Sequence, residues 1–400
     1  MKKTLLFFLV LITAISLFAC QKAPSDTGDF ECSFDNSTMT ATITAYNGSA
    51  EDVVIPSAFG KYTVTSIDRA AFSEKYEIAS VTLPETLVNI GASAFELCVG
   101  IKTIEIPEGV KTIGNTAFAN CRGLKEVTIP KSVEAIGICA FTGCTSLESI
   151  EVDPSNTSYS SDRYGALLDK EQKNLIQFPL GSDRKTYIMP ESVKVIASYA
   201  FEKSKNIETV EFSPVLEKIE SYAFQGSSIK TAVFGDSLTE IGAFCFNESK
   251  LSTLELGKSV KTLGDSAFSW CTFLGGFSIP ASLESIGTSA FFMCTSISEY
   301  KVDGENKSFS SDENGVLFNK DKTYLIYYPT ANTASEYIIP DGVSSISARA
   351  FSPTLNLKKV TVPDSVEAIG ELAFAQCSNL TDVVYLGTPP KTIADNAFEK

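Results

Sequence analysis

Residues 124–144 read LKEVTIPKSVEAIGICAFTGC and contain one copy of a unit that repeats along the chain. Apolar and polar residues alternate over 127–129, which predicts a short strand that ends at Pro130, because proline cannot donate to a continuing ladder. A second extended piece is predicted over 133–136, and the residues around Phe141 have the composition of one short helical turn. Each unit has an apolar edge that it cannot bury alone, so the units must stack.

The phenylalanine of this unit, usually preceded by alanine, recurs about every 23 residues. Nine of the eleven intervals are 22 to 24 residues and the other two are 60, which indicates two insertions of 37 residues. The insertions match each other at an offset of 150, so a block duplication explains both. The series comprises Phe72, Phe95, Phe118, Phe141, Phe201, Phe224, Phe246, Phe268, Phe291, Phe351, Phe374 and Phe398.

This period predicts an α/β repeat solenoid, a leucine-rich-repeat-like stack of about twelve coils of 23 residues with an N-terminal β-hairpin cap and two β-hairpin insertions. The phenylalanines are expected to form a spine through its core. The predicted divisions are a lipoprotein signal peptide (1–19), a tether (20–29), an N-terminal β cap (30–66), repeat block 1 (67–150), insertion 1 (151–189), repeat block 2 (190–300), insertion 2 (301–339) and repeat block 3 (340–400).

The net charge and the N-terminal leader limit the classes of function that this chain can have. A formal net charge of −15 without a basic stripe argues against a nucleic-acid partner. Residues 1–19 have a basic start and an apolar run too short to span a membrane, as in a secretory leader. Residues 17–20, LFAC, resemble the lipobox of bacterial lipoproteins, which implies acylation of Cys20 and membrane attachment through that lipid alone. The alternative is ordinary cleavage after Ala19.

The motif Ile-Pro-x-Ser-Val-x-x-Ile-Gly-x-x-Ala-Phe-x-x-Cys-x-x-Leu, as in residues 129–147, resembles the BspA-type leucine-rich repeat family of bacterial surface proteins. The resemblance covers roughly residues 30–400. It implies a secreted or surface-attached binding protein, since several family members are adhesins for host matrix or other bacteria. It brings no shared catalytic residues.

An enzyme is not expected. The chain contains no histidine, which removes histidine-dependent triads, histidine metal sites and the commonest general base. Residues 91–94, GASA, and 287–290, GTSA, faintly resemble a nucleophile elbow, but the segment recurs in most coils and is therefore structural. No paired carboxylates stand out from the repeat, and no cofactor is predicted.

Most cysteines follow the repeat. Those three residues after the repeat phenylalanine should stack one above another as buried free thiols, since side chains on parallel rungs rarely reach disulfide geometry. Disulfides between adjacent rungs remain the alternative, and no pairing is assigned to Cys32, Cys139 and Cys245. The cysteines in register are Cys98, Cys121, Cys144, Cys271, Cys294 and Cys377.

No metal site is predicted. The segment Asp312-x-Asn314-Gly315 shares a few residues with a calcium loop, but it lacks the preceding aspartate and the distal glutamate of the EF-hand pattern. The copy at Asp162 has Arg163-Tyr164 in the middle. A turn is the better interpretation.

Two surfaces are candidate binding sites. The first is the outer face of the strands, where the residue between the two apolar positions should form a ladder suited to a basic or extended partner, or else a merely solvated face. Its candidate residues are Glu105, Thr128, Glu151, Glu211, Glu255 and Lys301. The second is the insertions, predicted to project as hairpins with aromatic anchors, or else to pack back on the solenoid. Their candidate residues are Tyr159, Tyr164, Tyr324, Tyr327 and Tyr328.

These features predict a non-enzymatic, lipid-anchored protein of a bacterial envelope, at the outer membrane or cell surface. As an adhesin it would recognise a host or bacterial protein or glycan through the strand face and the insertions. The alternative is a structural lipoprotein that acts as a spacer or assembly scaffold in the periplasm.

Overall fold

Each repeat forms one coil with two short strands joined by turns, and successive coils pair strand to strand in parallel. A computed structural model describes residues 27–399. In the coil at residues 124–144, Val127 lies opposite Ile104 of the preceding coil and Ile150 of the following coil. Because side chains alternate along a strand, this register stacks buried residues on buried residues from coil to coil.

The first strands of the coils form five parallel sheets, which we call the first-strand sheets. They consist of β3 (Asp52–Val54) with β6 (Ser80–Thr82); β8 (Thr103–Glu105), β10 (Glu126–Ile129) and β12 (Ser149–Val152); β16 (Thr186–Ile188), β18 (Thr209–Glu211), β20 (Thr231–Val233) and β22 (Thr253–Glu255); β24 (Phe277–Ile279) with β26 (Tyr300–Val302); and β30 (Glu336–Ile338), β32 (Lys359–Val362) and β34 (Asp382–Tyr385).

The second strands form three further sheets. The first contains β1 (Phe30–Asp35), β2 (Thr40–Tyr46), β4 (Ala58–Phe59), β5 (Tyr62–Ile67), β7 (Asn89–Ile90), β9 (Thr112–Ile113) and β11 (Ala135–Ile136). The second contains β13 (Tyr159–Ser161), β14 (Leu167–Asp169), β15 (Asn174–Gln177), β17 (Val195–Ile196), β19 (Lys218–Ile219), β21 (Glu240–Ile241), β23 (Thr262–Leu263) and β25 (Ser285–Ile286). The third contains β27 (Phe309–Ser311), β28 (Leu317–Asn319), β29 (Tyr324–Tyr327), β31 (Ser345–Ile346), β33 (Ala368–Ile369) and β35 (Thr392–Ile393).

The helical part of the predicted α/β class is absent: residues 27–399 contain strands and turns but no helix. In the turn around Phe95, Ser93 (φ 55°) and Leu97 (φ 63°) are left-handed, which interrupts any right-handed helical run. The N–H groups of all three residues donate to carbonyls of the next coil at 2.8 Å. These bonds between coils offset the roughly 1–2 kcal/mol that each left-handed residue costs. Within the same range, no segment is a helix that could cross a bilayer.

The phenylalanines form three stacks where one continuous spine was expected. Neighbouring rings within a stack lie 4.6–5.5 Å apart, and each insertion separates one stack and its core from the next. Each stack begins with an aromatic residue that the repeat series above omits, although Phe178 and Tyr328 lie 23 residues before Phe201 and Phe351. The stacks are Tyr46, Phe72, Phe95, Phe118 and Phe141; Phe178, Phe201, Phe224, Phe246, Phe268 and Phe291; and Tyr328, Phe351, Phe374 and Phe398.

The glycine that follows the second strand is required by close packing between coils. A Cβ added at Gly114 would lie 2.5 Å from the Ala92 nitrogen and 2.6 Å from the Gly91 carbonyl carbon, both backbone atoms of the preceding coil. Gly114 does not have a positive φ. Backbone contact, and not a left-handed conformation, therefore explains the glycine at this position.

At the N-terminal end, β1 and β2 form an antiparallel hairpin, and β2 pairs in parallel with β5. Residues 52–67 contain the strands of a coil, because β3 pairs with β6 and β5 pairs with β7. The hairpin therefore covers the end of the second-strand sheet, while the later part of the predicted cap belongs to the stack.

The insertions are integrated into the solenoid and do not project from it. In each, three strands form an antiparallel meander whose last strand pairs in parallel with the next coil, as β15 does with β17 and β29 with β31. Leu167, Leu168 and Leu175 of the first meander are fully buried. This arrangement agrees with the alternative in which the apolar side packs back on the stack, since an isolated hairpin has too little core of its own.

Candidate functional site

The outer surface of the first-strand sheets, which we call the first-strand face, is an exposed ladder of side chains. Thr128 lies between Glu105 and Glu151 in the parallel register, and all three side chains point away from the core. Ser278 pairs with Lys301 in the same way. The structure thus exposes every candidate residue of this face: Glu105, Thr128, Glu151, Glu211, Glu255 and Lys301.

Part of this face was not predicted from the sequence. Ile188, 40% exposed, and Ile338, 68% exposed, belong to first strands at the ends of the segments assigned to the insertions, 151–189 and 301–339, so the repeat pattern was not applied to them. Their signal was present, because Tyr187 and Met189 flank Ile188 in the same alternating pattern. A second column of outward residues was also missed, in which each member aligns with the next: Thr186, Thr209, Thr231 and Thr253.

Three concavities lie along the first-strand face. One of about 540 Å³ is lined by residues of β6, β8 and β10, including Glu105, and by Glu85 and Glu108 of the turns that follow β6 and β8. Another of about 500 Å³ lies between β22 and β24. The third, of about 820 Å³, lies where β12 meets the first insertion and is lined by Glu151, Tyr164 and their neighbours. The first-strand face is therefore contoured along its length.

A buried asparagine fixes each insertion to the coil before it. The Asn156 side chain, 1% exposed, donates to the carbonyls of Pro130 (2.8 Å) and Val133 (3.0 Å), and its oxygen accepts from the backbone N–H groups of Ser158 and Tyr159 at 2.8 Å. Asn306 makes the same four bonds in the second insertion. These bonds place each meander beside the first-strand face.

Two of the candidate tyrosines are not accessible. Tyr327 is 7% exposed and packs on Phe291 and Tyr300, and Tyr328 is 1% exposed and stacks on Phe351 at 5.0 Å. The expectation that they are surface anchors is wrong. The end of the second insertion occupies the place of a coil in the stack. Tyr328 therefore takes the position of a repeat phenylalanine, and its ring packs inside the core.

The other candidate tyrosines have different environments. Tyr324 is 46% exposed at the start of β29. Tyr159 is half-buried, and its hydroxyl accepts from the backbone N–H of Ile136 at 2.7 Å, so it joins the meander to the edge of β11. Tyr164 is half-buried at the large concavity, with Arg163 and Arg184 over its ring.

The segment compared with a calcium loop is a turn. The Asp162 carboxylate accepts from the N–H groups of Tyr164 (2.8 Å) and Ala166 (3.0 Å) and from the hydroxyl of Tyr187 (2.7 Å). Asp312 repeats this arrangement in the second insertion. Burial and the neighbouring carboxylate raise the pKa of the Tyr187 hydroxyl, which keeps it a donor to Asp162. Between residues 27 and 399, no group of three or more Cys, Asp or Glu side chains is placed to hold a metal ion.

The cysteines of the repeat are buried thiols whose hydrogens have backbone acceptors. The Sγ atoms of Cys98, Cys121 and Cys144 donate to the carbonyls of Phe72, Phe95 and Phe118, each at 3.1 Å. All nine cysteines within the described residues are free. Cys32, Cys139 and Cys245, which do not follow the repeat, are among these free thiols. Cys32 and Cys139 are partly buried, and Cys245 is fully buried.

Burial of these thiols predicts sensitivity to alkaline pH. Desolvation raises the pKa of Cys98, Cys144 and Cys271 from 9.0 to about 12, so the folded protein keeps protons that the unfolded chain releases. Each protonated thiol contributes to the free energy of unfolding, and this contribution is fully present below pH 9. It is lost as the pH rises towards 12, at about 1.4 kcal/mol per pH unit for each thiol.

Between pH 9 and 10.5, the free energy of unfolding should therefore fall by about 2 kcal/mol less in Cys144→Ala than in the unmodified protein. Urea denaturation at both pH values, in reductant, measures the two losses. Titrating tyrosines contribute equally to both proteins, so they cancel in the comparison. Equal losses would show that Cys144 does not titrate differently in the folded and unfolded states.

The predicted leader and the lipidation residue Cys20 lie outside the described residues. So does most of the predicted tether, of which only residues 27–29 are described.

Comparisons with known proteins agree with this repeat architecture. The model of the BspA type leucine rich repeat region matches residues 34–165, 185–313 and 327–400, in six copies. None of the curated proteins compared with the chain gives a significant match.

Two solved structures share the fold. A leucine-rich repeat protein from Eubacterium ventriosum ATCC 27560 is 21% identical, with 88% of this chain and 93% of that chain covered and a TM-score of 0.58. A leucine-rich repeat protein from Bacteroides ovatus ATCC 8483 is 24% identical, with 89% and 93% covered and a TM-score of 0.52. Since the family model matches most of residues 34–400, the chain belongs to the BspA-type leucine-rich repeat family.

Proposed function

We propose that the protein is a non-enzymatic binding protein of the bacterial cell surface, an adhesin that recognises a protein or glycan through the first-strand face and the first insertion. The membership of the BspA-type family supports a binding role, since leucine-rich repeats are typically interaction scaffolds without catalytic activity. Acylation at Cys20 would hold the solenoid to the membrane.

The contrast between the core and the first-strand face carries this proposal. Inside the stack, successive coils repeat the same residue types, as at Phe95, Phe118 and Phe141. On the face, the column that contains Val233 and Glu255 changes residue type from coil to coil, beside the column of repeated threonines. Repeated residue types in the core allow each coil to pack on the next in the same way. A contoured face whose charged and apolar residues vary is suited to the recognition of one partner.

Exposure at the cell surface is the first test. Protease added to intact cells should cleave the protein and release fragments of the solenoid, while a periplasmic marker stays intact. Protection of the whole chain, with cleavage after the outer membrane is permeabilised, would defeat the adhesin proposal and favour a periplasmic scaffold.

Ligand capture is the second test. The purified protein should retain a ligand from matrix proteins, mucins or partner bacteria, and Glu211→Lys with Glu255→Lys should reduce capture at least fivefold, because the charge reversal lies on the first-strand face. The matched control, Glu77→Lys with Glu371→Lys, makes the same charge change at exposed turn residues. Equal capture by the two double variants would place recognition elsewhere on the molecule.

A further inference from the structure

Two of the five arginines of the chain meet at a single tyrosine in the largest of the three concavities. The guanidinium carbons of Arg163 and Arg184 lie 4.7 and 4.8 Å from the centroid of the Tyr164 ring. Tyr164 is held in turn by an edge contact with the buried Tyr187, at 5.3 Å. The aromatic ring therefore positions both cations before any ligand arrives.

Neither guanidinium is neutralised within the part of the chain that the structure describes. Arg163 and Arg184 are exposed, and no carboxylate of residues 27–399 lies within ion-pair distance of either. In a chain with a formal charge of −15, two unpaired arginines that contact one ring concentrate positive charge at this concavity. An anionic group bound beside them would be attracted by both charges.

The second insertion provides an internal comparison, because it folds in the same way without this cluster. At the offset of 150, Glu313, Asn314 and Ala334 replace Arg163, Tyr164 and Arg184. The Asn314 carbonyl there accepts from the Asn332 side chain at 3.0 Å. The turn therefore does not need the arginines and the tyrosine in order to form, and a structural role does not explain the two exposed arginines.

We propose that Arg163, Arg184 and Tyr164 form a binding subsite for the carboxylate of an acidic sugar, within a glycan that fills this concavity. The arginines offer planar N–H donors that match a carboxylate in a bidentate manner. The cavity volume of about 820 Å³ is in the range of small-molecule sites, roughly 300–1,000 Å³.

The rest of the lining favours a sugar over a more highly charged anion. Glu148, Glu151 and Asp183 also line the concavity, and none of them forms an ion pair with a residue of the described range. These carboxylates repel phosphate groups but accept hydrogen bonds from hydroxyl groups. A ligand with one negative charge and several adjacent hydroxyls satisfies both halves of the lining, and an acidic sugar has that chemistry.

This inference rests on the proposed binding function and names the ligand class of one part of its site. The test is calorimetric titration of the full protein with four compounds: 3′-sialyllactose, a hyaluronan tetrasaccharide, lactose and a tetraglutamate peptide. We expect one or both of the acidic saccharides to bind, and affinity to fall with added salt. The two saccharides distinguish a sialic acid from a uronic acid as the source of the carboxylate, and lactose lacks that group.

The decisive variant converts the first insertion to the residues of the second, with Arg163→Glu, Tyr164→Asn and Arg184→Ala. It should bind the acidic saccharide at least tenfold more weakly, with an unchanged circular dichroism spectrum. The control Arg122→Ala removes an exposed arginine outside the concavity and should bind normally.

Three results would overturn the subsite: no binding of either acidic saccharide by the folded protein, equal binding by the triple variant, or tighter binding of tetraglutamate, which would indicate a peptide site. If these occur while surface exposure and ligand capture persist, the acidic-sugar subsite fails and the adhesin proposal stands. If exposure and capture also fail, the proposed function fails with it.

Discussion

Phe118→Ala is expected to lower the free energy of unfolding by about 3–5 kcal/mol. The Phe118 side chain is fully buried, and its ring stacks on Phe95 at 5.4 Å and on Phe141 at 5.5 Å. Removing it leaves a cavity between two coils whose backbones are already in contact, so the neighbours cannot easily collapse into the space. Urea denaturation followed by circular dichroism measures the loss.

Phe273→Ala is the matched control, since Phe273 is 61% exposed and the same atoms are removed. It should change the free energy of unfolding by less than about 1 kcal/mol. Similar losses in the two variants would mean that the stacked rings do not hold the coils together. In a solenoid, each coil contacts only its neighbours, so the Phe118 variant should also show its greatest increase in hydrogen exchange at residues 90–145.

Asn156→Ala is expected to cost about 3 kcal/mol, because it leaves two buried and two partly buried backbone groups without their partner. The carbonyls of Pro130 and Val133 lose their donors, and the N–H groups of Ser158 and Tyr159 lose their acceptor. The loss should appear in chemical denaturation and as faster hydrogen exchange over residues 150–189. Because Asn306 makes the same four bonds, Asn306→Ala should cost a similar amount.

Asn174→Ala separates this effect from the loss of an arbitrary asparagine. Asn174 lies in the same insertion but is exposed, and its side-chain bond to Asp169 faces solvent. Its replacement should cost less than about 1 kcal/mol. If Asn156→Ala were no more damaging than Asn174→Ala, the buried asparagine would not be what fixes the insertion to the stack.

The repeat architecture could be predicted because one residue type marks it at a nearly constant spacing. The phenylalanine period fixed the parallel stacking, and the alternation at residues 127–129 located a first strand, which the structure has at Glu126–Ile129. Helical turns around the phenylalanines were predicted wrongly. Local composition there suits a helix, but the N–H groups of Ser93, Phe95 and Leu97 bond to the next coil, a partner that no local pattern reveals.

The candidate surfaces were predictable to different degrees. Alternation along a strand was enough to identify the exposed first-strand face, since neighbouring side chains must point to opposite sides. Alternation could not distinguish Tyr324, which is exposed, from Tyr327, which is buried in the same strand, without knowing which side of the meander meets the core. The place of Tyr328 in the ring stack was not predicted, because the repeat was identified by its phenylalanines and this position has a tyrosine.

The sequence by itself determined the repeat, the family, the outward column of the first-strand face and the duplication of the insertions, because these depend on spacing and on alternation, which are properties of a linear chain. Only the tertiary structure decided that the turns are not helical, that the insertions join the stack, and that Arg163 and Arg184 meet at Tyr164. Arg163 and Arg184 are 21 residues apart in the chain. Their contact with one ring depends on how the meander closes against the coil before it, and that closure is set by packing and buried hydrogen bonds between distant segments.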